Sequence, residues 1–274
     1  MKISLAAKDV SHRYAGRSVL EGVSFSVQEG EFFIVIGPNG SGKTTLVKAL
    51  SGTLRPDRGE IEVLGRPIGS YSGKALARKV ALVPQTPPAN IPFTVAEVVL
   101  MGRSPHLSLC ALETRKDREL AERAMSFTSV AHLAGRRFDQ LSAGERQRVL
   151  ISVAICREPR IIVLDEPTSA LDLAHQVQVM DLLERLRGEE KVTIIMVSHD
   201  LNLAALYADN LLLLKDGAIV SAGTPHEVLT FQTLEKAYGC VLLVDENPLK
   251  KVPRITLVPH SLACETNLSA KPLS

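Results

Sequence analysis

A run of eight residues near the start of the chain has the glycines and the lysine that a phosphate-binding loop needs. The run fits the pattern G-x-x-x-x-G-K-[ST]. Glycines at these spacings let backbone N–H groups turn inward, where they surround the oxygens of a phosphate group. The residues of this loop are Gly37, Pro38, Asn39, Gly40, Ser41, Gly42, Lys43 and Thr44.

The segments on either side of this loop support the same chemistry. An apolar strand at residues 31–36 comes directly before it, and a helix begins near Thr44, whose positive N-terminal end would face the phosphates. Lys43 would reach the β- and γ-phosphates of a nucleotide, and the hydroxyl of Thr44 would bind Mg²⁺. The alternative is a glycine-rich turn before an ordinary helix, and the strand–loop–helix order argues against it.

Two carboxylates follow a second apolar strand. Residues 161–164 are Ile-Ile-Val-Leu, a run typical of a buried parallel strand, and Asp165 and Glu166 come directly after it. Ligand sites in such sheets lie at the carboxyl ends of the strands. Asp165 would hold the Mg²⁺, and Glu166 would take a proton from an attacking water. The alternative is that the two carboxylates simply mark a solvated strand end. The presence of the phosphate-binding loop in the same chain argues against that alternative.

A helix start that can bind an anion lies between these two motifs. Ser142 and Glu145 are three residues apart and predict a capping box. A capped helix N-terminus that contains Gly144 also presents backbone N–H groups to an anion. The structural role of this segment therefore does not exclude a functional one.

Short apolar runs alternate with helical periods and predict the fold class. Residues 18–27, 161–164 and 192–197 are strand-like, whereas the period is helical over 94–156 and 173–187. Strand–helix–strand alternation implies an α/β fold with a parallel sheet and right-handed crossovers. We expect the helical block at 94–156 to form a subdomain inserted into that α/β body.

The composition is that of an ordinary globular protein. Lys and Arg total 32 and Asp and Glu total 30, so the net charge is +2, which argues against a nucleic-acid partner. The four cysteines form no C-x-x-C pair, which argues against a disulfide framework or a zinc site. No apolar run reaches the ~18 residues needed to cross a bilayer. We therefore expect the protein to serve any membrane from outside the lipid.

The motifs occur together in one order, and the combination resembles the ATP-binding cassette of ABC transporters. The resemblance extends over nearly the whole chain, and the motif at residues 141–145 is the part that other phosphate-loop proteins lack. Beside the two motifs already described, it rests on Gln85 after a strand, Leu-Ser-Ala-Gly-Glu at 141–145, Asp172 in Ser-Ala-Leu-Asp, and His199 in Val-Ser-His-Asp.

This resemblance implies a domain organisation. The fold would be α/β, with a P-loop NTPase core on a parallel sheet, an N-terminal antiparallel β subdomain and an inserted helical subdomain. The cassette would span residues 1–239, with the helical subdomain at about 89–158. Residues 240–274 would form a C-terminal extension with short strands and a frayed end.

The resemblance also assigns roles around ATP. Gln85 would touch the Mg²⁺ and the attacking water, and His199 would contact the γ-phosphate, which makes them catalytic together with Glu166 and Lys43. Tyr14 would stack on adenine. Without the family, Tyr14 is a packing aromatic, Gln85 is a turn residue and His199 belongs to a helix start. The Mg²⁺ ligands implied in this way are Thr44, Gln85 and Asp165.

The family resemblance further implies a homodimer with two sandwiched ATP molecules. Ser142 and Gly144 would grip the ATP held by a second copy of the chain, and Asp172 would lie at the interface. The family most often has Gly where this chain has Ala143, and we expect activity to survive because a Cβ is small. Outside the loop of residues 37–44, the residues implied to contact ATP are Tyr14, Thr45, Ser142, Gly144, Glu145 and Asp172.

A narrower resemblance lies in the helical block. Residues 91–95, 97–99 and 101–106, with Leu-Asp-Leu-Ala-His-Gln at 171–176, are similar to importer cassettes for iron–siderophore complexes, haem and vitamin B12. It implies docking on membrane permease subunits after Gln85 and, through them, an extracytoplasmic substrate-binding protein, with no nucleic-acid partner. The protein would then be a peripheral subunit at the cytoplasmic face of the inner membrane. Generic helix capping and ending is the alternative for these residues.

Other functions stay open at the level of the sequence. One is a cassette for free zinc or manganese import. A soluble ABC ATPase of DNA repair or translation usually carries a long coiled coil or two cassettes, whereas Thr44 and Ser142 are too close for a coiled coil here. A small-molecule kinase would have no use for the motif at residues 141–145. Which chelate is carried is decided by the permease and the binding protein, so this chain does not specify it.

Overall fold

The computed structural model describes residues 2–85, 92–107 and 113–259. Some sequence predictions fall elsewhere. The start of the helical subdomain at 89–91, Cys110, Cys264 and the polar end of the extension at 260–274 lie outside the described residues.

The β-strands are distributed along the whole described chain. In chain order they are β1 (Ile3–Tyr14), β2 (Arg17–Gln28), β3 (Phe32–Ile36), β4 (Arg58–Val63), β5 (Arg66–Pro67), β6 (Val80–Val83), β7 (Ile161–Asp165), β8 (Thr193–Val197), β9 (Asn210–Lys215), β10 (Ala218–Gly223), β11 (Leu242–Glu246) and β12 (Pro253–Leu257).

The α-helices lie mostly between strands, with one group in the middle of the chain. They are α1 (Lys43–Leu50), α2 (Gly73–Ala77), α3 (Val95–Leu100), α4 (Arg115–Phe127), α5 (Ala143–Cys156), α6 (Leu173–Glu190), α7 (Leu201–Tyr207), α8 (Pro225–Val228) and α9 (Phe231–Tyr238). Short 3₁₀ segments cover Ile68–Ser70, Met101–His106, Ala131–Leu133 and Phe138–Gln140.

The central sheet has the order β10-β9-β3-β8-β7-β6. Its strands pair in parallel except β10, which forms an antiparallel hairpin with β9. Every residue of β3, β7 and β8 is buried, because parallel sheets are covered on both faces. A second sheet, antiparallel with the order β2-β1-β4-β5, packs beside it. The predicted α/β class and the antiparallel N-terminal part are both confirmed.

Alternation along β3 shows how two separate cores form on the faces of the central sheet. Phe32 and Ile34 point into the core shared with α6, whereas Phe33 and Val35 point into the core shared with α1 and the antiparallel sheet. Successive side chains of a strand point to opposite faces. One short, wholly apolar strand therefore serves both layers at once.

Helices α3, α4 and α5 form a third core of their own, in which Val95, Ala121 and Val149 are buried. Helix α5 also belongs to the core of the central sheet, because its Ile151 and Ala154 are buried there. The helical block expected from the sequence is therefore present, and α5 is the element that joins it to the α/β body.

Among the described helices, α3, α4 and α5 begin with a complete capping box, as the sequence predicted for α5. Among the described residues, no helix is both long enough and apolar enough to cross a bilayer. The C-terminal strands β11 and β12 pair as an antiparallel hairpin. The side-chain amide of Asn202 in α7 holds that hairpin, donating to the carbonyl of Ile255 at 3.1 Å and accepting from its N–H at 2.8 Å.

We predict that Ile34→Ala lowers the free energy of unfolding by about 2–5 kcal/mol, because it opens a cavity in the middle of the central sheet. Ile34 is fully buried. Leu249→Ala is the control, since that side chain is 93% exposed and the change is expected to stay within about 0.5 kcal/mol. Urea denaturation followed by circular dichroism measures both. Equal losses for the two variants would contradict this assignment of the core.

Candidate active site

The chemistry-bearing residues meet at one edge of the central sheet. Gly37 follows β3, Gln85 comes two residues after β6, Glu166 follows β7 and His199 comes two residues after β8. These four strands run parallel, so their carboxyl ends lie at the same edge. The structure therefore brings together residues that are up to 162 positions apart in the sequence.

The phosphate-binding loop turns so tightly that two of its glycines have no substitute. Gly37 and Gly42 have φ angles of +149° and +100°. A Cβ on Gly37 would lie 2.0 Å from the carbonyl oxygen of Leu214, and one on Gly42 would lie 2.5 Å from that of Val19. The backbone of the loop thus packs directly against the strands on either side, which leaves its N–H groups free to face a ligand.

The side chain of Lys43 folds back against the phosphate-binding loop. Its Nζ donates to the carbonyl oxygens of Gly37 and Pro38, both at 2.8 Å, and the side chain is buried. Burial lowers the pKa of Lys43, and the charges of Glu166 and Asp165 oppose that shift. A buried cation held by carbonyl dipoles at the start of a helix suits a phosphate group, which supplies the missing negative charge.

Asp165 has the environment of a carboxylate that needs a cation. Burial, and then the adjacent charge of Glu166, raise the pKa of Asp165, while the hydroxyl of Thr44 lowers it. That hydroxyl lies 3.4 Å from Oδ1 of Asp165. Mg²⁺ prefers a few oxygen ligands from the protein and completes its shell with phosphate oxygens and water. The Thr44–Asp165 pair fits such a cation when it arrives with a nucleotide.

No group of three His, Cys, Asp or Glu side chains that could hold a resident metal occurs among the described residues. The two oxygens of Thr44 and Asp165 suit a metal that a phosphate ligand helps to bind. A metal held by the protein alone would need more ligands than these two residues supply.

Glu166, Gln85 and His199 are in mutual contact through the carboxylate of Glu166. The amide Nε2 of Gln85 donates to its Oε2 at 2.6 Å, and Nε2 of His199 contacts its Oε1. Glu166 has a φ of +49°, a conformation that is rare for a non-glycine residue, and Ser169 donates to its carbonyl oxygen. The strained backbone is held in place by its surroundings and directs the carboxylate towards the other two groups.

The first turn of α5 is anchored by its own side chains and exposed at its tip. Ser142 accepts from the N–H of Glu145, and a carboxylate oxygen of Glu145 accepts from the N–H of Ser142 at 2.7 Å. Those hydrogen bonds lower the pKa of Glu145. Ala143 is exposed and is the first helical residue, so its Cβ meets no obstacle there.

Gly144 is the residue of this turn at which a side chain does not fit. A Cβ there would lie 2.6 Å from Cδ2 of His175, so the imidazole ring packs directly on the helix start. Nδ1 of His175 lies 2.7 Å from Oδ1 of Asp172, which also caps the N-terminus of α6. His175 therefore links the first turn of α5 to Asp172.

The other residues that we expect to contact ATP differ in their exposure to solvent. Tyr14 is 46% exposed, and its ring lies perpendicular to the ring of His12, with 4.7 Å between the centroids. Asn39, Gly40 and Thr44 are exposed. Ser41 and Thr45 are buried.

Sequence reasoning missed the residues that line the far side of the site. A cavity of about 550 Å³ has Glu166 and His199 on one side and Tyr238, Cys240 and Leu242 on the other. Nothing in the local sequence of the C-terminal segment indicated this contact. His175 was part of the motif at residues 171–176, although its place against Gly144 was not foreseen.

The sequence profile of the ABC transporter family matches residues 20–169. A hemin import ATP-binding protein, HmuV of Gloeobacter violaceus, is 41% identical over 260 residues, covering 92% of this chain and 93% of that protein. The ferric enterobactin transport ATP-binding protein FepC of Escherichia coli is 36% identical over 251 residues, with 92% and 93% covered.

A solved structure described as an inward-facing metal-chelate type ABC transporter superposes with a TM-score of 0.85. Its sequence identity is 31%, and the match covers 96% of this chain and all of the other. Fold and sequence therefore agree on one family.

We predict that Gly144→Ala lowers the kcat of ATP hydrolysis by about tenfold to a hundredfold, because the new Cβ displaces the ring of His175 and shifts the helix start. Ala143→Gly is the matched control and should leave kcat unchanged. Adding His175→Ala to Gly144→Ala removes the clash and should restore part of the rate. A Gly144→Ala variant as active as Ala143→Gly would contradict this account.

Proposed function

Since this chain belongs to the ABC transporter family, we propose that it is the ATP-hydrolysing subunit of an importer for a metal chelate. The observation that carries ATP hydrolysis is the meeting of Glu166, Gln85 and His199 beside the phosphate-binding loop, at the carboxyl edge of one parallel sheet, and the relatives named for chelates support the importer. The chelates in question are iron–siderophore complexes, haem and cobalamin.

The groups at this edge suit hydrolysis by attack of a water on the γ-phosphate. Lys43 and the loop N–H groups would hold the phosphates, and Glu166 would orient the water and take its proton. His199 and Gln85 both contact the carboxylate of Glu166, and they would position that carboxylate against the γ-phosphate. Phosphoryl transfer needs positioning and charge stabilisation more than covalent chemistry, which matches this set of residues.

The Mg²⁺ that accompanies ATP would be held by Thr44, Asp165 and Gln85. When bound, it would neutralise charge on the β- and γ-phosphate oxygens. The raised pKa of Asp165 supports this role, because a carboxylate that burial disfavours gains most from a cation.

A second copy of the chain would complete each site. Cassettes of this family occur as dimers. Ser142 and Ala143 are exposed, and the Ser142 hydroxyl with the N–H group of Gly144 would meet the ATP held by the partner. Asp172 would lie at the same interface. Hydrolysis would remove the shared γ-phosphate contacts, so ATP would bind the closed dimer better than the open one and drive the change between them.

The relatives support the proposed cargo, and with it a membrane partner and a location. Relatives at similar identity are named for hemin and for ferric enterobactin, which share a chelated iron and little else. Permease subunits would dock on the helical subdomain, which we place at residues 89–158 of a cassette spanning 1–239. An extracytoplasmic binding protein would act through the permease. The chain would then work at the cytoplasmic face of the inner membrane, with the hairpin of the 240–274 extension packed on α7.

We predict that Glu166→Gln lowers kcat by at least about a hundredfold, because an amide cannot accept the proton of the attacking water. ATP affinity should stay within a few-fold, since Lys43 and the loop are untouched. Glu189→Gln on the exposed side of α6 is the control and should hydrolyse ATP normally. Phosphate release and fluorescent-nucleotide titration measure the two quantities. Hydrolysis unaffected by Glu166→Gln would disprove the catalytic assignment.

We predict that the complex with its permease, reconstituted in liposomes with its binding protein, hydrolyses ATP faster when one chelate is supplied. Haem, a ferric siderophore and cobalamin would be compared with free zinc and free manganese. Stimulation by free zinc or manganese alone would show that the chain serves a metal-ion importer instead. A purified protein that binds no permease would favour a soluble ABC ATPase.

A further inference from the structure

Arg103 is a buried cation that none of the roles above uses. It lies in the 3₁₀ segment Met101–His106 and is only 5% exposed. Its Nε donates to Oδ1 of Asp117 at 2.9 Å, and its Nη1 donates to the carbonyl oxygen of Cys156 at 2.8 Å and to Oε2 of Glu158 at 3.0 Å. One guanidinium therefore joins three different parts of the chain.

Each partner of Arg103 carries negative charge that a cation offsets. Cys156 is the last residue of α5, where the helix dipole is negative. Asp117 is buried in the first turn of α4 and forms a capping box with Thr114. Removing the guanidinium would leave the carboxylate of Asp117 buried without its cation, which is costly. The contact is thus a fixed joint of the fold.

Further contacts hold the same 3₁₀ segment against α5. A Cβ on Gly102 would lie 2.5 Å from the carbonyl oxygen of Val153, so backbone packs on backbone. Nε2 of His106 lies 2.9 Å from the carbonyl oxygen of Arg157. Helix α5 and this segment are therefore a single rigid unit at the C-terminal end of the helix.

The segment is also tied to the start of the central sheet. Nε of Arg78 donates to the carbonyl oxygen of Pro105 at 2.9 Å, and β6 begins two residues after Arg78. The N–H of Arg160 donates to the carbonyl oxygen of Lys79 at 2.9 Å, and β7 begins directly after Arg160. The amino ends of both strands thus lie at this joint.

Three elements that meet here have their opposite ends at the candidate active site. Helix α5 begins at Ser142, β6 leads to Gln85 and β7 leads to Glu166. The helix is about 21 Å long at 1.5 Å per residue, so a small change of angle at Arg103 moves Ser142 by several times the local displacement. The hold on the far end of α5, together with the burial of its sides in two cores, therefore sets where its first turn lies.

We propose that Arg103 is a positioning residue for ATP hydrolysis, which fixes the direction of α5 relative to β6 and β7 so that the Ser142 turn meets the nucleotide of a second copy. The inference rests on the proposed function, because the turn contacts ATP only in the closed dimer. Arg103 touches neither the phosphate-binding loop nor its lysine. Its loss should therefore act on closure and turnover and spare the first binding of ATP.

The test compares Arg103→Gln and Arg103→Lys with the control Arg115→Gln. Arg115 pairs with Glu119 on the same helical block, but its side chain is 94% exposed. For each variant, kcat, the ATP affinity of the monomer and ATP-driven dimerisation in a Glu166→Gln background are measured, and all are normalised to the folded fraction from circular dichroism. Asp117→Asn, which keeps an oxygen for the Thr114 cap, is a second variant in case Arg103→Gln does not fold.

Arg103→Gln should lower kcat at least tenfold and weaken dimerisation by a similar factor, while monomer ATP affinity stays within twofold. Arg103→Lys should recover part of both, because an ammonium keeps the charge but cannot reach three partners in a fixed fork. Arg115→Gln should match the parent protein. Unchanged dimerisation and kcat, or a monomer affinity that falls in parallel with them, would overturn the positioning role. A parent protein that neither hydrolyses ATP nor dimerises with it would refute the proposed function itself, and this inference with it.

Discussion

Parallel pairing of β3, β6, β7 and β8 is the constraint on which the site depends. Parallel strands end at one edge, so the residues that follow them are neighbours whatever their distance in sequence. Because these strands are covered on both faces, their side chains are mostly apolar, and the polar groups of the site appear at or just after their carboxyl ends. The phosphate-binding loop, Glu166 and His199 therefore share a location because of how the sheet is built, and no long-range attraction between them is needed.

The site buries side chains of opposite charge, and burial disfavours the charged form of each of them. Burial lowers the pKa of Lys43 and raises that of Asp165, so both charged forms gain when a phosphate and its cation are bound. The phosphate-binding loop is held in a fixed shape, since two of its glycines pack against Leu214 and Val19 without room for a Cβ. Preorganised dipoles and charges of this kind lose little energy to rearrangement on binding.

Helix α5 connects the two halves of the molecule. One end carries the capped turn at Ser142, the other is held by Arg103, and its sides are buried in both the helical core and the core of the central sheet. A helix held in this way moves as a unit. Any partner that shifts the helical block would thus shift the Ser142 turn relative to Glu166, which gives the site a route by which hydrolysis and movement can be coupled.

The sequence determined the features that depend on neighbours along the chain. The phosphate-binding loop, the capping box at Ser142 and Glu145 and the buried strand that leads to Asp165 are all local patterns, and the structure has them where predicted. Tertiary structure alone decided three contacts: His175 on Gly144, Arg103 with its partners, and the C-terminal residues facing His199. Each contact joins segments that are far apart in the sequence. Local sequence patterns do not relate such segments, because the packing of sheets and helices sets the distance between them.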